Sequence, residues 1–128
     1  MANVPQDLRY TDKHEYVKPA GEAGVFSVGI TDYAQGELGD IVFVELPKVG
    51  TRVEATKSFG TIEAVKAVSD LYAPLTGEIV EVNDALDADP AAVNSDPYGA
   101  GWMIRIRAED PAAADALMDA AAYEKLIG

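Results

Sequence analysis

Apolar residues recur along this chain in short β-branched and aromatic runs divided by proline–glycine punctuation. Gly24-Val25-Phe26-Ser27-Val28-Gly29-Ile30 and Ile41-Val42-Phe43-Val44-Glu45-Leu46 have the length and composition of strands. Gly77-Glu78-Ile79-Val80-Glu81-Val82-Asn83 and Trp102-Met103-Ile104-Arg105-Ile106-Arg107 alternate apolar and charged side chains, which predicts strands with one dry and one wet face. Turn signals separate the runs at 19–21, 47–50, 74–77 and 97–101. Many short strands at near-regular spacing predict a mainly β barrel or sandwich.

Helical pieces decorate this pattern. Thr31 is placed to cap a short helix over 32–38, and Gly39 to close it. Asp89-Pro90 predicts an N-cap and first helical position for about one turn through Val93. Asp110-Pro111 repeats the device near the C-terminus. There an Ala-rich stretch carries an apolar stripe of Leu117, Met118, Leu126 and Ile127, with Asp119 re-capping a second segment. Residues 51–54 weakly echo residues 78–81. The stretch 61–69 contains no Gly, Pro or Asn to mark a turn, so its local reading is ambiguous and leaves a short helix open.

Length and composition narrow the chemistry. With 128 residues the chain is one ordinary domain: residues 1–128, with a core over about 8–108 and a C-terminal helical segment over 110–127. The absence of cysteine excludes disulfides, thiolate metal sites and a cysteine nucleophile. His14 is the single histidine, so a His-rich metal site is excluded and one imidazole base remains. The net charge of −12 repels phosphate backbones and anionic lipid, which argues against nucleic-acid and membrane-surface binding. No apolar run approaches the roughly 18 residues of a membrane span. The N-terminal residues form neither a secretory nor a transit pattern. A cytoplasmic protein is expected, or a matrix one if the chain were a processed mitochondrial protein.

Most candidate constellations fail. His14-Glu15 reads as a surface pair approaching a strand, not as part of a nucleophilic triad. An EF-hand counted from Asp87 puts Ala92 where Gly is required and Tyr98 where Glu is required. Gly99-Ala100-Gly101 lacks the third glycine of a dinucleotide fingerprint and precedes a strand. Carboxylate pairs are inevitable with 22 acids and decide nothing. What remains is Lys66, set between the small apolar neighbours Val65 and Ala67. It reads either as a solubilising lysine or as an amine presented for covalent modification.

Five blocks in order decide between these readings. They are His14-Glu15-Tyr16; Gly29-Ile30-Thr31-Asp32-Tyr33-Ala34-Gln35; Leu38-Gly39-Asp40-Ile41-Val42-Phe43-Val44-Glu45-Leu46-Pro47; Glu63-Ala64-Val65-Lys66-Ala67; and Asn94-Ser95-Asp96-Pro97-Tyr98-Gly99-Ala100-Gly101-Trp102. Through them the chain resembles the H proteins of the glycine cleavage system, from about Tyr10 to Ile127. The family usually has Trp where Tyr16 stands, Ser at Ala64 and Ala at Val68. Biotin carriers, by contrast, carry Met-Lys-Met at the corresponding tip.

The resemblance implies a flattened β-barrel, or barrel-sandwich hybrid, of the lipoyl-domain kind, with short peripheral helices and a C-terminal helix. It implies lipoate joined by an amide to Lys66, with Glu63 read by the lipoate-attaching enzyme, and Glu15 and Asp70 contacting the aminomethyl-bearing arm. It implies a shuttle and not an enzyme. The partners would be a pyridoxal-phosphate glycine decarboxylase, a tetrahydrofolate-dependent aminomethyltransferase and dihydrolipoamide dehydrogenase, met in transient complexes by a monomer. Two alternatives are an H-like relay passing octanoyl or lipoyl groups, and a small acidic enzyme using His14 and a carboxylate.

Overall fold

Two antiparallel sheets enclose one apolar interior in the computed structural model, which describes residues 3–128. The chain runs through β1 (Arg9–Tyr10), β2 (Glu15–Pro19), β3 (Val25–Ile30), α1 (Asp32–Leu38), β4 (Ile41–Glu45), β5 (Arg52–Val53), β6 (Ser58–Ala64), β7 (Val68–Tyr72) and β8 (Gly77–Val82). It continues through α2 (Ala85–Ala88), α3 (Ala92–Ser95), β9 (Ile104–Ala108), a 3-10 segment (Pro111–Ala116) and α4 (Ala120–Ile127). One sheet has the order β1-β2-β3-β9-β8-β5 and the other β4-β6-β7. Val28, Ile79, Ile104 and Ile106 from the first meet Val44, Ile62 and Leu71 from the second, all with little or no exposure. The mainly β sandwich with peripheral helices that the sequence predicts is the observed architecture.

Local rules hold where the signal is a cap. Thr31 Oγ1 accepts from Ala34 N–H at 3.2 Å at the start of α1, and Gly39 ends it with φ +83°. Asp119 Oδ1 accepts from Ala122 N–H at 2.9 Å to open α4. The weakly echoing segments prove to be neighbours: Arg52 pairs with Glu78 and Val53 with Gly77 in β5 and β8.

Three local readings differ from the structure, and a fourth holds with a change of helix type. The strand read from Trp102 begins at Ile104, because Trp102 N–H closes a turn onto Gly99 O at 3.1 Å and its ring lies under the Arg105 guanidinium. Asp89 does not cap a helix; its N–H terminates α2 on Ala85 O at 3.0 Å, and α3 starts later, at Ala92. The Asp110-Pro111 cap holds, with Asp110 Oδ1 accepting from Ala112 N–H at 3.2 Å, but the segment it opens is 3-10. In α4 the buried face is Ala120 and Tyr123 with Ile127 beside them, so Leu126, one position off that face, points outward at 50% exposure.

The open stretch 61–69 is a hairpin. From Ser58 to Ala64 burial peaks at Phe59, Ile62 and Ala64 while Ser58 and Glu63 are exposed, a strand's use of its two faces despite the missing turn residues. Ala64 N–H donates to Ala67 O at 2.7 Å to close the turn, and Val65 N–H is pinned to Asp40 O at 3.1 Å.

A smaller core lies under the C-terminal helix. Leu8, Tyr10 and Tyr16 pack there with Ala120 and Tyr123, and Tyr10 and Met118 exchange backbone hydrogen bonds at 2.8 and 3.0 Å. Tyr16 is fully buried, donates to Pro97 O at 2.6 Å and covers Gly29, where a β-carbon would meet its hydroxyl at 2.8 Å. Among the described residues no helix is long and apolar enough to cross a membrane, and no acid or histidine cluster could hold a metal.

Candidate functional site

Lys66 stands at the tip of the β6–β7 hairpin, exposed, in the three-residue turn Val65 to Ala67. Among the described residues its ammonium makes no ion pair and no hydrogen bond. Its stem passes Gly39: a β-carbon there would come within 3.4 Å of Lys66 Cε. The tip is further framed by Val65 and Val68, 77% and 67% exposed. An amine held on a closed hairpin, with glycine and alanine beside it and nothing bonded to it, is open to acylation.

Glu63 lies three residues before Lys66 on the outer face of the smaller sheet, in register between Phe43 and Val68. All three side chains are exposed. Glu63 therefore faces solvent together with an apolar pair.

A cleft of about 260 Å³ opens beside the hairpin. Ile62, Ser69, Asp70 and Leu71 of β6 and β7 form one wall, and Tyr33, Ala34, Glu37 and Leu38 of α1 the other. The turn Lys13-His14-Glu15 forms its floor. The structure thus brings Glu15 and Asp70 together and sets Lys66 at the end of the hairpin that carries Asp70. Asp70 is exposed and pairs in register with Thr61.

Glu15 is not the surface acid that His14-Glu15 suggests. As the first residue of β2, opposite Ile30, it is only 2% exposed. Its Oε1 accepts from the Thr11 hydroxyl at 2.8 Å and its Oε2 from Tyr72 N–H at 3.3 Å. Burial drives its pKa up to about 7, and those two hydrogen bonds only partly oppose the rise. None of the ion pairs among the described residues involves it. The nearby Lys13 directs its ammonium over the Tyr72 ring, 5.8 Å from the centroid. A second, mostly apolar cavity of about 410 Å³ reaches Glu15 and Lys13 from the side of Tyr10, Pro74 and Leu117.

His14 is half-buried and has φ +70°. Its Nδ1 lies 2.8 Å from the Tyr123 hydroxyl and its ring tilts against Tyr33 at 5.1 Å. Burial pushes its pKa down, against the pull of Asp12 and Glu37. Its contacts are structural: the ring is held between α1 and α4 by Tyr33 and Tyr123.

A buried carboxyl with no ion pair among the described residues, in a cleft whose apolar residues Ile62, Leu71, Ala34 and Leu38 are flanked by the acids Glu37 and Asp70, is suited to receive a small cation such as a protonated amine. Sequence reasoning missed the α1 wall and Lys13. The signal lay in Tyr33 and Glu37, and in Ala34 and Leu38, each pair four residues apart on a helix that the Thr31 cap had already located.

Comparison with known proteins gives a consistent result. The family model described as glycine cleavage H-protein matches residues 8–128. A glycine cleavage system H protein of Chlorobium limicola is 57% identical over 126 residues, covering 98% of each chain. One of Myxococcus xanthus is 55% identical, over 98% of this chain and 95% of its own. A crystal structure of a glycine cleavage system H protein from Mycobacterium marinum superposes with a TM-score of 0.86 at 45% identity, covering 95% of this chain and 97% of that one. A lysine free at a hairpin tip, a cleft with a buried carboxylate and a match over nearly the whole length agree, and the chain belongs to the glycine cleavage H-protein family.

Proposed function

We propose that this protein is the lipoyl-bearing carrier of the glycine cleavage system, with lipoate in amide linkage to Lys66. The observation that carries the assignment to this residue is the exposed, unbonded ammonium at the tip of a hairpin whose strands line the cleft. When attached, the dithiolane supplies the redox chemistry and carries the aminomethyl cargo. The chain supplies placement. The hairpin presents the arm to partners, and β7 offers it a return path along the cleft wall, about 13 Å from Lys66 to Asp70 at strand rise.

At rest, Glu15 receives the cationic amine of the cargo and Asp70 guards the mouth of the cleft. Ile62, Leu71 and Leu38 exclude water from the arm between them. Glu63, on the opposite face, belongs to the surface that the lipoate-attaching enzyme reads. The protein is a shuttle with no turnover of its own, working as a cytoplasmic monomer. Its partners are the decarboxylase, the aminomethyltransferase and dihydrolipoamide dehydrogenase, each met transiently.

The experiment is intact mass and peptide mapping after expression with lipoate. One lipoyl increment is expected, on Lys66, and Lys66→Arg should fold and carry none. An increment on Lys13, Lys18, Lys48, Lys57 or Lys125 would overturn the assignment. Turnover by the unmodified chain would restore the enzyme reading.

A further inference from the structure

The Tyr123 hydroxyl, on the buried face of α4, lies 2.7 Å from Thr31 Oγ1 and 2.8 Å from His14 Nδ1. Its two partners belong to the two parts of the cleft that the hairpin does not supply. Thr31 caps α1, and His14 precedes Glu15 in the turn at the floor. Thr31 N–H donates to His14 O at 3.0 Å, which closes a ring of contacts among the three segments. Tyr123 is itself fully buried, with its ring stacked on Tyr10 at 4.6 Å. His14 holds φ +70°, a conformation that a residue with a β-carbon keeps only where its surroundings impose it.

Counting protons gives this ring a direction. Thr31 is fully buried and its Oγ1 already accepts from Ala34 N–H, so its own proton goes to Tyr123 Oη. The Tyr123 proton then goes to His14 Nδ1, which accepts it. The imidazole proton is left on Nε2. The reverse order would leave the proton of the buried Thr31 hydroxyl without an acceptor, because Tyr123 Oη is the acceptor it has among the side-chain hydrogen bonds of the described residues.

We propose that Tyr123 is a positioning residue of the carrier: its hydroxyl relay holds His14 in the Nε2-protonated tautomer and the left-handed conformation, and so sets Glu15 against the α1 wall. The functional consequence rests on the carrier reading above; the tautomer rests on geometry alone. A cationic imidazole next to Glu15 would compete with the cargo's amine for the same carboxylate, and the relay opposes it by keeping Nδ1 an acceptor. The groups that face His14 are Asp12 and Lys13 of its own turn, Tyr33 and Glu37 of α1, and Tyr123 of α4.

Because the chain has a single histidine, imidazole nitrogen NMR of the unlipoylated protein reads the relay without ambiguity. The wild type should show the Nε2–H tautomer and protonate only below the ordinary histidine range. Tyr123→Phe keeps the ring on Tyr10 but should give mixed tautomers and a titration nearer the ordinary value. Thr31→Ser, which retains the hydroxyl, should behave as wild type, and Thr31→Val as Tyr123→Phe; this pair serves if Tyr123→Phe does not fold. In the loaded carrier, Tyr123→Phe should release aminomethyl cargo to water several-fold faster, and Thr31→Ser at the wild-type rate. An Nδ1–H tautomer in the wild type, or a wild-type signature in Tyr123→Phe, overturns the relay. A changed signature with unchanged release overturns its role in the cleft. Failure to load Lys66 removes only the release measurement, so it strikes the carrier reading and not the relay.

Discussion

Tyr72 and Glu15 meet across the two sheets: the Tyr72 amide in β7 donates to Glu15 Oε2 in β2 at 3.3 Å. The contact brings an edge strand of the smaller sheet against the larger one at the floor of the cleft. Among the described residues the carboxylate has two hydrogen bonds and no ion pair, and the more distant Lys13 only weakly offsets the burial that dominates its proton affinity.

Stability should depend on pH through Glu15. Its folded pKa of about 7 stands above the 4.5 of a free glutamate, so between these values the folded chain holds a proton that the unfolded chain has lost. The contribution is fully present below about pH 4.5 and is lost as the pH rises through about 7; its size is about 3 kcal/mol. Histidine burial acts in the opposite direction, since the His14 pKa is lowered. The comparison with Glu15→Gln isolates the carboxylate. Urea unfolding across this window should lose that decline in the variant, and parallel pH profiles would count against a raised Glu15.

Cargo retention should separate the two carboxylates. The resemblance alone gives Glu15 and Asp70 the same role, contact with the arm. Burial of Glu15 breaks that equivalence, because a charge-assisted hydrogen bond in the interior is screened far less than one at the mouth. Glu15→Gln should raise release of the aminomethyl group to water by about tenfold, or about 1.4 kcal/mol, and Asp70→Asn by less than about threefold. Ammonia or formaldehyde release from isolated, loaded protein measures both. The reverse order would make Asp70 the principal contact.

Gly39 should resist substitution. It combines φ +83° with ψ −158°, a region essentially restricted to glycine, whereas a β-carbon there would make only ordinary contact with the Lys66 stem at 3.4 Å. Gly39→Ala should lower stability by about 1–3 kcal/mol in chemical denaturation. If backbone strain is the cause, the loss should persist in a Lys66→Ala background; its disappearance there would assign it to the lysine stem.

Salt should slow delivery. On the proposed reading, a carrier with a net charge of −12 that meets its partner enzymes transiently gains from long-range steering. Raising the ionic strength from about 0.01 M to about 1 M shortens the screening length from about 30 Å to about 3 Å. The kcat/KM of the decarboxylase for the lipoylated carrier should fall accordingly, through the association rate. An unchanged value would mean that overall charge does not steer the encounter.

The local devices and the candidate lysine can be read from the chain without its fold. Thr31, Gly39 and Asp119 act on backbone groups within a few residues, so their caps were legible without any knowledge of neighbours. The strands with the clearest β-branched or alternating pattern were legible for the same reason. Ordered motif blocks singled out Lys66, where the pentapeptide alone was ambiguous. That 61–69 is a hairpin depends on the assembled sheets, since no turn residue marks it and the pairing is imposed by β4 and by the buried Ile62. Tertiary assembly also decides that Leu126 faces solvent while Tyr123 faces in, because Tyr10 and His14 come from the other end of the chain to meet that face. Glu15 is the sharpest case. Whether a glutamate is a surface acid or a buried one poised near neutrality depends on what covers it, and here the cover includes an amide 57 residues away. Burial and proton affinity are properties of that assembled surrounding, which no short window of sequence contains.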